Sequence, residues 1–145
     1  ILLVHKKYQE RNISLTRNFS GEIPKIELVA DQFKQVILNL LQNAEEAIPG
    51  RGGRVTISTS IWNGKVQIEI RDTGVGIPTE QMKNIFDPFF TTKPAVKGTG
   101  LGLSVTYGII KKHGGEIIVD SLPGSGTAFT LFLPIRQEIP ITEMA

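Results

Sequence analysis

Residues 55–70 run Val55-Thr56-Ile57-Ser58-Thr59-Ser60-Ile61-Trp62-Asn63-Gly64-Lys65-Val66-Gln67-Ile68-Glu69-Ile70. Val55, Ile57, Thr59 and Ile61 alternate on one side of Asn63-Gly64, and Val66, Ile68 and Ile70 alternate on the other. A period of two puts one face of a strand against a core, and Asn-Gly suits the two left-handed residues of a tight hairpin. Hairpins pair strands antiparallel, so these residues point to a layered α/β sandwich rather than a Rossmann fold.

Upstream, Asp31 is a plausible cap for a long helix. Its apolar stripe is Phe33, Val36, Ile37, Leu40, Leu41, Ala44, Ala47 and Ile48, ended by Pro49-Gly50. Before it, Ile13, Leu15 and Phe19 alternate as a strand, with Ile26–Val29 as a short partner strand. Residues 1–12 read as the tail of an upstream helix or linker, 13–134 as the domain, and 135–145 as a C-terminal tail. Downstream, Thr79 caps a short helix through Ile85, and residues 87–99 show no period and form a long mobile loop. A helix from about Gly100 to His113 stops at Gly114-Gly115, and Ile117–Val119 and Thr127–Leu133 are the last strands. The expected total is five to six strands and three helices.

A chain of 145 residues suits one domain with a real core, since such a chain buries roughly 70% of its unfolded surface. Its 40% hydrophobic content excludes wholesale disorder. Zero cysteines exclude a disulfide scaffold, a cysteine nucleophile and a thiolate metal site, and suit a cytoplasmic protein. No apolar run reaches the roughly 18 residues of a membrane span. A net charge of +2 with scattered basic residues gives no nucleic-acid footprint. The chain opens on Ile1-Leu2-Leu3 rather than Met and is expected to be a piece of a longer protein.

Four groups of residues carry chemistry. Asn39 and Asn43 lie about 40° apart on one flank of the helical stripe. Their carbonyl oxygens suit a hard cation such as Mg²⁺, or else a helix-edge hydrogen bond to the sheet. Asp72-Thr73-Gly74-Val75-Gly76-Ile77-Pro78 follows a strand. An ionised Asp there is acceptor-only and suits an exocyclic amine such as that of adenine, while Gly74 and Gly76 let a flat ring approach. A plain strand-to-helix turn is the competing reading. Gly98-Thr99-Gly100-Leu101-Gly102-Leu103-Ser104 opens a helix and bares backbone N–H groups toward an anion. Phe86-Asp87-Pro88-Phe89-Phe90-Thr91-Thr92-Lys93 is either an aromatic clasp for the mobile loop, with Lys93 or Lys97 reaching a phosphate, or a loop pinned by aromatic anchors.

In order and spacing these segments resemble the catalytic, ATP-binding domain of two-component sensor histidine kinases, within the wider gyrase/chaperone/kinase/MutL superfamily. Asn39-Leu40-Leu41-Gln42-Asn43-Ala44 is similar to the N box, Asp72 through Gly76 to the first glycine box, and Phe86 through Lys93 to the F box. Gly98 through Leu103 is similar to the second glycine box, and Gly124-Ser125-Gly126-Thr127 to the last glycine motif. The resemblance covers about residues 13–134. It implies an α+β fold, a two-layer Bergerat-type sandwich whose mixed, mostly antiparallel sheet carries helices on one face and a flexible lid over ATP.

By the same resemblance, Asp72 binds the adenine amine with support from Thr127, and Gly74, Gly76 and Ile77 line the base. Asn43 ligates Mg²⁺ with Asn39 in the same phosphate-side pocket. Gly98, Thr99, Gly100, Leu101, Gly102 and Leu103 surround the phosphates, and Lys93 is a further phosphate contact. ATP-hydrolysing relatives carry a Glu four residues before the metal-binding Asn. Here that place is Asn39, whose amide cannot take a proton, which favours a kinase over a chaperone- or topoisomerase-like ATPase. A nucleotide-gated binding module, like the anti-sigma kinases, is the other rival.

The implied partners are a histidine-bearing dimerisation helical domain and a response regulator, with no nucleic acid and no direct membrane contact. The phosphoacceptor is not found here. His5, in Val4-His5-Lys6-Lys7, lacks the following acidic residue and Asn-Pro, and His113 reads as a positive ring complementing a helix C-terminus. Glu46 stands where many members carry a basic or aromatic residue, and is expected to be solvated.

Overall fold

The computed structural model describes residues 2–21, 23–24, 26, 28–87 and 102–135. Helix α1 (Leu2–Glu10) leads to β1 (Ser14–Phe19), then α2 (Ala30–Ala47), β2 (Arg54–Trp62) and β3 (Lys65–Asp72). A 3₁₀ turn (Thr79–Asn84) precedes α3 (Gly102–Lys112), β4 (Glu116–Leu122) and β5 (Gly126–Pro134). The five strands form one sheet in the order β1-β2-β3-β5-β4.

The β2–β3 hairpin forms as expected, with Asn63 at φ 51° and Gly64 at φ 73°, the two left-handed residues of a type I′ turn. Its register sets Ile57 beside Ile70 and Val55 beside Asp72. The inward residues Val55, Ile57, Val66, Ile68, Ile70, Phe129, Leu131 and Leu133 are buried with Val36, Leu40, Leu41, Ala44 and Ile48, from α2 and its C-cap, and Ile110 of α3. Helices on one face and alternating strands make the two-layer α+β sandwich. Among the described residues, no helix is long and apolar enough to cross a membrane.

The described residues of the expected 26–29 strand, Ile26, Leu28 and Val29, are not in a strand. The edge partner of β1 is β2, in parallel, with Ser14 beside Arg54 and Phe19 beside Thr59. A parallel pair needs a crossover, and α2 is that crossover. Ile23, Ile26 and Leu28 pack against the core from the irregular approach to α2. The Val29 N–H, which a strand would give to its neighbour, goes instead to His113 Nε2 at 3.0 Å.

Two expected caps are absent. Helix α2 starts at Ala30 after Val29, with no side-chain cap, and Asp31 falls in the first turn, where its charge favours the helix N-terminus. Pro78, not Thr79, precedes the 3₁₀ turn, again without a side-chain cap.

The end of α3 is a Schellman turn. Gly114, at φ 73°, donates to the Lys111 carbonyl at 3.0 Å, and Gly115 to that of Ile110 at 2.9 Å. His113 beside it is buried, with Nδ1 2.8 Å from the Ile109 carbonyl. Nδ1–H donates there while Nε2 accepts from Val29, so the ring is neutral, not the positive group expected at a helix end. At the N-terminus, α1 packs Tyr8 into the core, and its hydroxyl donates to the Leu41 carbonyl at 2.7 Å.

His113→Leu removes the acceptor of the Val29 N–H at nearly unchanged volume. Urea unfolding is expected to show a loss of about 1–3 kcal/mol; an unchanged midpoint would mean that this N–H finds another acceptor.

Candidate functional site

Asp72 ends the central strand β3, between Val55 of β2 and Thr127 of β5. It is only 3% exposed, yet it is ionisable. Its Oδ1 accepts the Gly74 N–H at 2.8 Å, and the Thr127 N–H also donates to the carboxylate. Burial raises its pKa above the ordinary carboxylate value, and these two backbone donors partly oppose the shift. A carboxylate offers about four lone-pair sites, so acceptor capacity remains for a further donor.

The following loop is held on three sides. The Thr73 N–H reaches the Arg54 carbonyl at 3.1 Å, and the Val75 N–H the Ala47 carbonyl at the end of α2, at 2.9 Å. The Val75 carbonyl accepts from Gly124 at 2.6 Å. A Cβ on Gly74 would lie 2.4 Å from the Ala47 oxygen, and one on Gly76, at φ +77°, would lie 2.2 Å from that of Leu122. These glycines were expected to admit a flat ring; the positions their side chains would fill are occupied by the protein's own backbone. Gly126 plays the same part, its Cβ position lying 2.1 Å from the Asp72 oxygen.

Thr127 is buried beside Asp72, with its hydroxyl 2.8 Å from that of Ser121. Ser121 Oγ donates to the Gly126 carbonyl at 3.1 Å and accepts the Ile77 N–H at 2.8 Å. With its single proton so committed, Ser121 accepts from Thr127. Ser121 was missed from the sequence because β4 was expected to end at Val119. A polar residue continuing the inward alternation of Ile117 and Val119 was the available signal.

On α2, Asn39 Oδ1 accepts from Gln35 at 2.7 Å, and its Nδ2 donates to the Gly102 carbonyl at 3.1 Å and Thr106 Oγ1 at 3.3 Å. The amide thus ties α2 to the first turn of α3. Leu103 packs against the core. Asn43 lies one turn further along α2 and is half-buried. Glu46, expected to be solvated, has a carboxylate oxygen shielded from solvent. Phe86 packs on Tyr107 of α3, with ring centroids 5.2 Å apart. Lys93, Gly98, Thr99, Gly100 and Leu101 lie outside the described residues, as does the expected lid from 88 onward.

Among the described residues no group of three or more His, Cys, Asp or Glu side chains could hold a metal. An amide such as that of Asn43 fits a Mg²⁺ ion that arrives with phosphates, because Mg²⁺ keeps most of its shell from phosphate and water.

A one-faced sandwich with a buried acceptor at a central strand end, glycine-held loops and an amide tying two helices is the architecture of an ATP-binding catalytic domain. The family model described as "Histidine kinase-, DNA gyrase B-, and HSP90-like ATPase" matches residues 28–137, and the chain belongs to that family. Sensor histidine kinase ZraS of Klebsiella oxytoca is 42% identical over 137 residues, which are 94% of this chain and 29% of that protein. The chain therefore spans under a third of that relative's length. The nucleotide-free catalytic domain of histidine kinase ThkA matches with a TM-score of 0.82 at 36% identity, over 94% of this chain and 89% of that one. ThkA in complex with the response regulator protein TrrA matches with a TM-score of 0.76 at 33% identity, over 92% of this chain and 37% of that one.

The raised pKa of Asp72 fixes a sign. Between the ordinary value of 3.8 and the raised one, the folded chain binds more protons than the unfolded chain, so this group's contribution to stability falls as pH rises. Urea midpoints of the unliganded protein, taken across that window and differenced against Asp72→Asn, are expected to show this decline; a difference rising with pH would contradict it.

Proposed function

We propose that the chain binds Mg·ATP with the adenine amine donating to Asp72, and supplies the γ-phosphoryl group to a histidine on a separate helical dimerisation domain. From there the group passes to an aspartate of a response regulator, in line with the ThkA complex. The observation that carries this reading is the Asp72 carboxylate: desolvated, acceptor-only, and pre-positioned by the Gly74 and Thr127 N–H groups. An adenine amine would offset the cost of keeping that charge buried. Guanine presents a carbonyl oxygen at the same place, facing acceptor with acceptor, so the site selects adenine.

Bound Mg²⁺ supplies charge neutralisation for the phosphates, with Asn43 as its protein ligand. Asn39 has both ends of its amide engaged and no basic lone pair for a proton, so no side chain at that position activates water. The γ-phosphate therefore waits for an outside nucleophile. A ring nitrogen of the acceptor histidine forms the new P–N bond, the bond to the β-phosphate bridging oxygen breaks, and its electron pair leaves with ADP. Positioning does most of the work in such a loose transition state. We assign this chemistry to the cytoplasm.

The test uses calorimetry with Mg·ATP, steady-state turnover, and transfer of labelled γ-phosphate to a histidine-bearing helical domain added in trans. Asp72→Asn is expected to lose at least about 100-fold in affinity, since a buried donor would then face a donor. Turnover by the wild-type chain alone should be negligible, and acid-labile phosphate should appear on the added domain. Brisk hydrolysis abolished by Asp72→Asn would make the protein a hydrolase instead. Asn43→Ala should keep Mg²⁺-free ADP binding and lose only the metal-dependent gain; loss of both would remove Asn43 as the metal ligand.

A further inference from the structure

Helix α2 ends without a glycine cap, and only the Ile48 N–H turns back, to the Glu45 carbonyl at 3.2 Å. Ile48, at φ −94°, is extended, the last turn contains no basic residue, and Pro49 follows. The final carbonyls of a helix have no intrahelical donors, so they need partners from elsewhere. Arg11, just past α1, supplies donors to the Glu45 carbonyl in the last turn and to the carbonyls of Ile48 and Gly50 just beyond it. Its Nε donates to the Gly50 carbonyl at 3.1 Å. One terminal nitrogen reaches the Glu45 carbonyl at 2.8 Å and Glu45 Oε1 at 2.5 Å, and the other the carbonyls of Ile48 and of Gly50, the latter at 2.7 Å. Arg11's own carbonyl accepts the Gly52 N–H at 2.8 Å. Glu45 is charged but only 5% exposed, because it occupies a core-facing turn of α2 after Leu41; Lys7 adds a second cation at 3.8 Å.

Ala47 lies between the residues that Arg11 grips, and its carbonyl accepts the Val75 N–H and abuts Gly74. Gly74 in turn holds the Asp72 carboxylate. The fit at Gly74 leaves no space for a methyl group, so a shift of the Ala47 carbonyl is passed on to the loop. We infer that Arg11 is a positioning residue for the adenine pocket, acting through the C-terminal end of α2 on the Gly74–Val75 loop. The inference rests on Asp72 as the adenine acceptor. It makes the segment between α1 and β1 part of the nucleotide site without touching the nucleotide.

The test measures ADP binding to the full chain without Mg²⁺, so that the metal end of the site is silent, alongside melting temperature and amide hydrogen exchange. Arg11→Ala is expected to lose roughly tenfold in ADP affinity. Arg11→Lys should recover little of this, because an ammonium lacks the planar fork that holds several carbonyls. Arg11→Ala also strands the buried Glu45, so the double variant Arg11→Met/Glu45→Leu separates stability from positioning. Removing both charges should return the melting temperature toward wild type while ADP affinity stays low. In that variant the Val75 amide should exchange faster, with β4–β5 amides unchanged.

Wild-type ADP affinity in Arg11→Ala, or affinity recovering together with melting temperature in the double variant, would overturn the inference. Uniformly faster exchange would do the same. Asp72→Asn is run in parallel: if it binds ADP normally, the adenine reading itself fails, a result distinct from normal binding by the Arg11 variants alone.

Discussion

Three main-chain oxygens, those of Ala47, Leu122 and Asp72, sit where side chains on Gly74, Gly76 and Gly126 would have to be. This mutual exclusion lets the end of α2, the loop after β3 and the β4–β5 turn close on one point. Everything that gives the site its character follows from that closure. It seals Asp72 from water, it brings the Thr127 N–H onto the carboxylate, and it leaves Ser121 to organise the hydroxyl of Thr127. A methyl group at any of the three positions would force backbone apart. These glycines are therefore fixed by packing of the protein against itself before any ligand arrives.

Helices α2 and α3 contribute differently. Helix α2 is anchored at both ends by residues far away in sequence: Val29, at its start, is hooked to His113, and its end is gripped by Arg11. Between them, Asn39 ties the same helix to the start of α3. The long helix is thus the beam on which the loop after β3 and helix α3 are both mounted. The buried stripe of Val36, Leu40, Leu41 and Ala44 fixes its distance from the sheet.

What was legible in the sequence was local and periodic. Asn63-Gly64 between alternating strands specified the hairpin, the apolar stripe specified α2, and Gly114-Gly115 marked the end of α3. The parallel pairing of β1 with β2 was not legible, because it joins strands separated by the whole of α2, and the apolar residues at 26 and 28 mimicked a nearer partner. Asp72 and its glycines stood out as a short motif, although the close approach of backbone to Gly74 and Gly76 could not be read from it. Arg11 was invisible because its partners lie in another element, whereas Ser121 showed only as a polar residue continuing the inward alternation of β4. Glu45 did leave a trace, as a charge placed on the buried side of an amphipathic helix.

Trp62, the single tryptophan, is 56% exposed and packs against Phe132, with centroids 5.5 Å apart. It stands on the sheet face turned away from α2, at the hairpin end of β2, opposite Lys65. Asp72 closes the other end of the same eight-residue β3 strand, roughly 23 Å along at strand spacing. The protein therefore carries a built-in optical reporter that watches the sheet and is remote from the pocket. Its emission will register unfolding of the hairpin and stay nearly blind to what occupies the nucleotide site, so the two events can be followed in separate channels on unlabelled material.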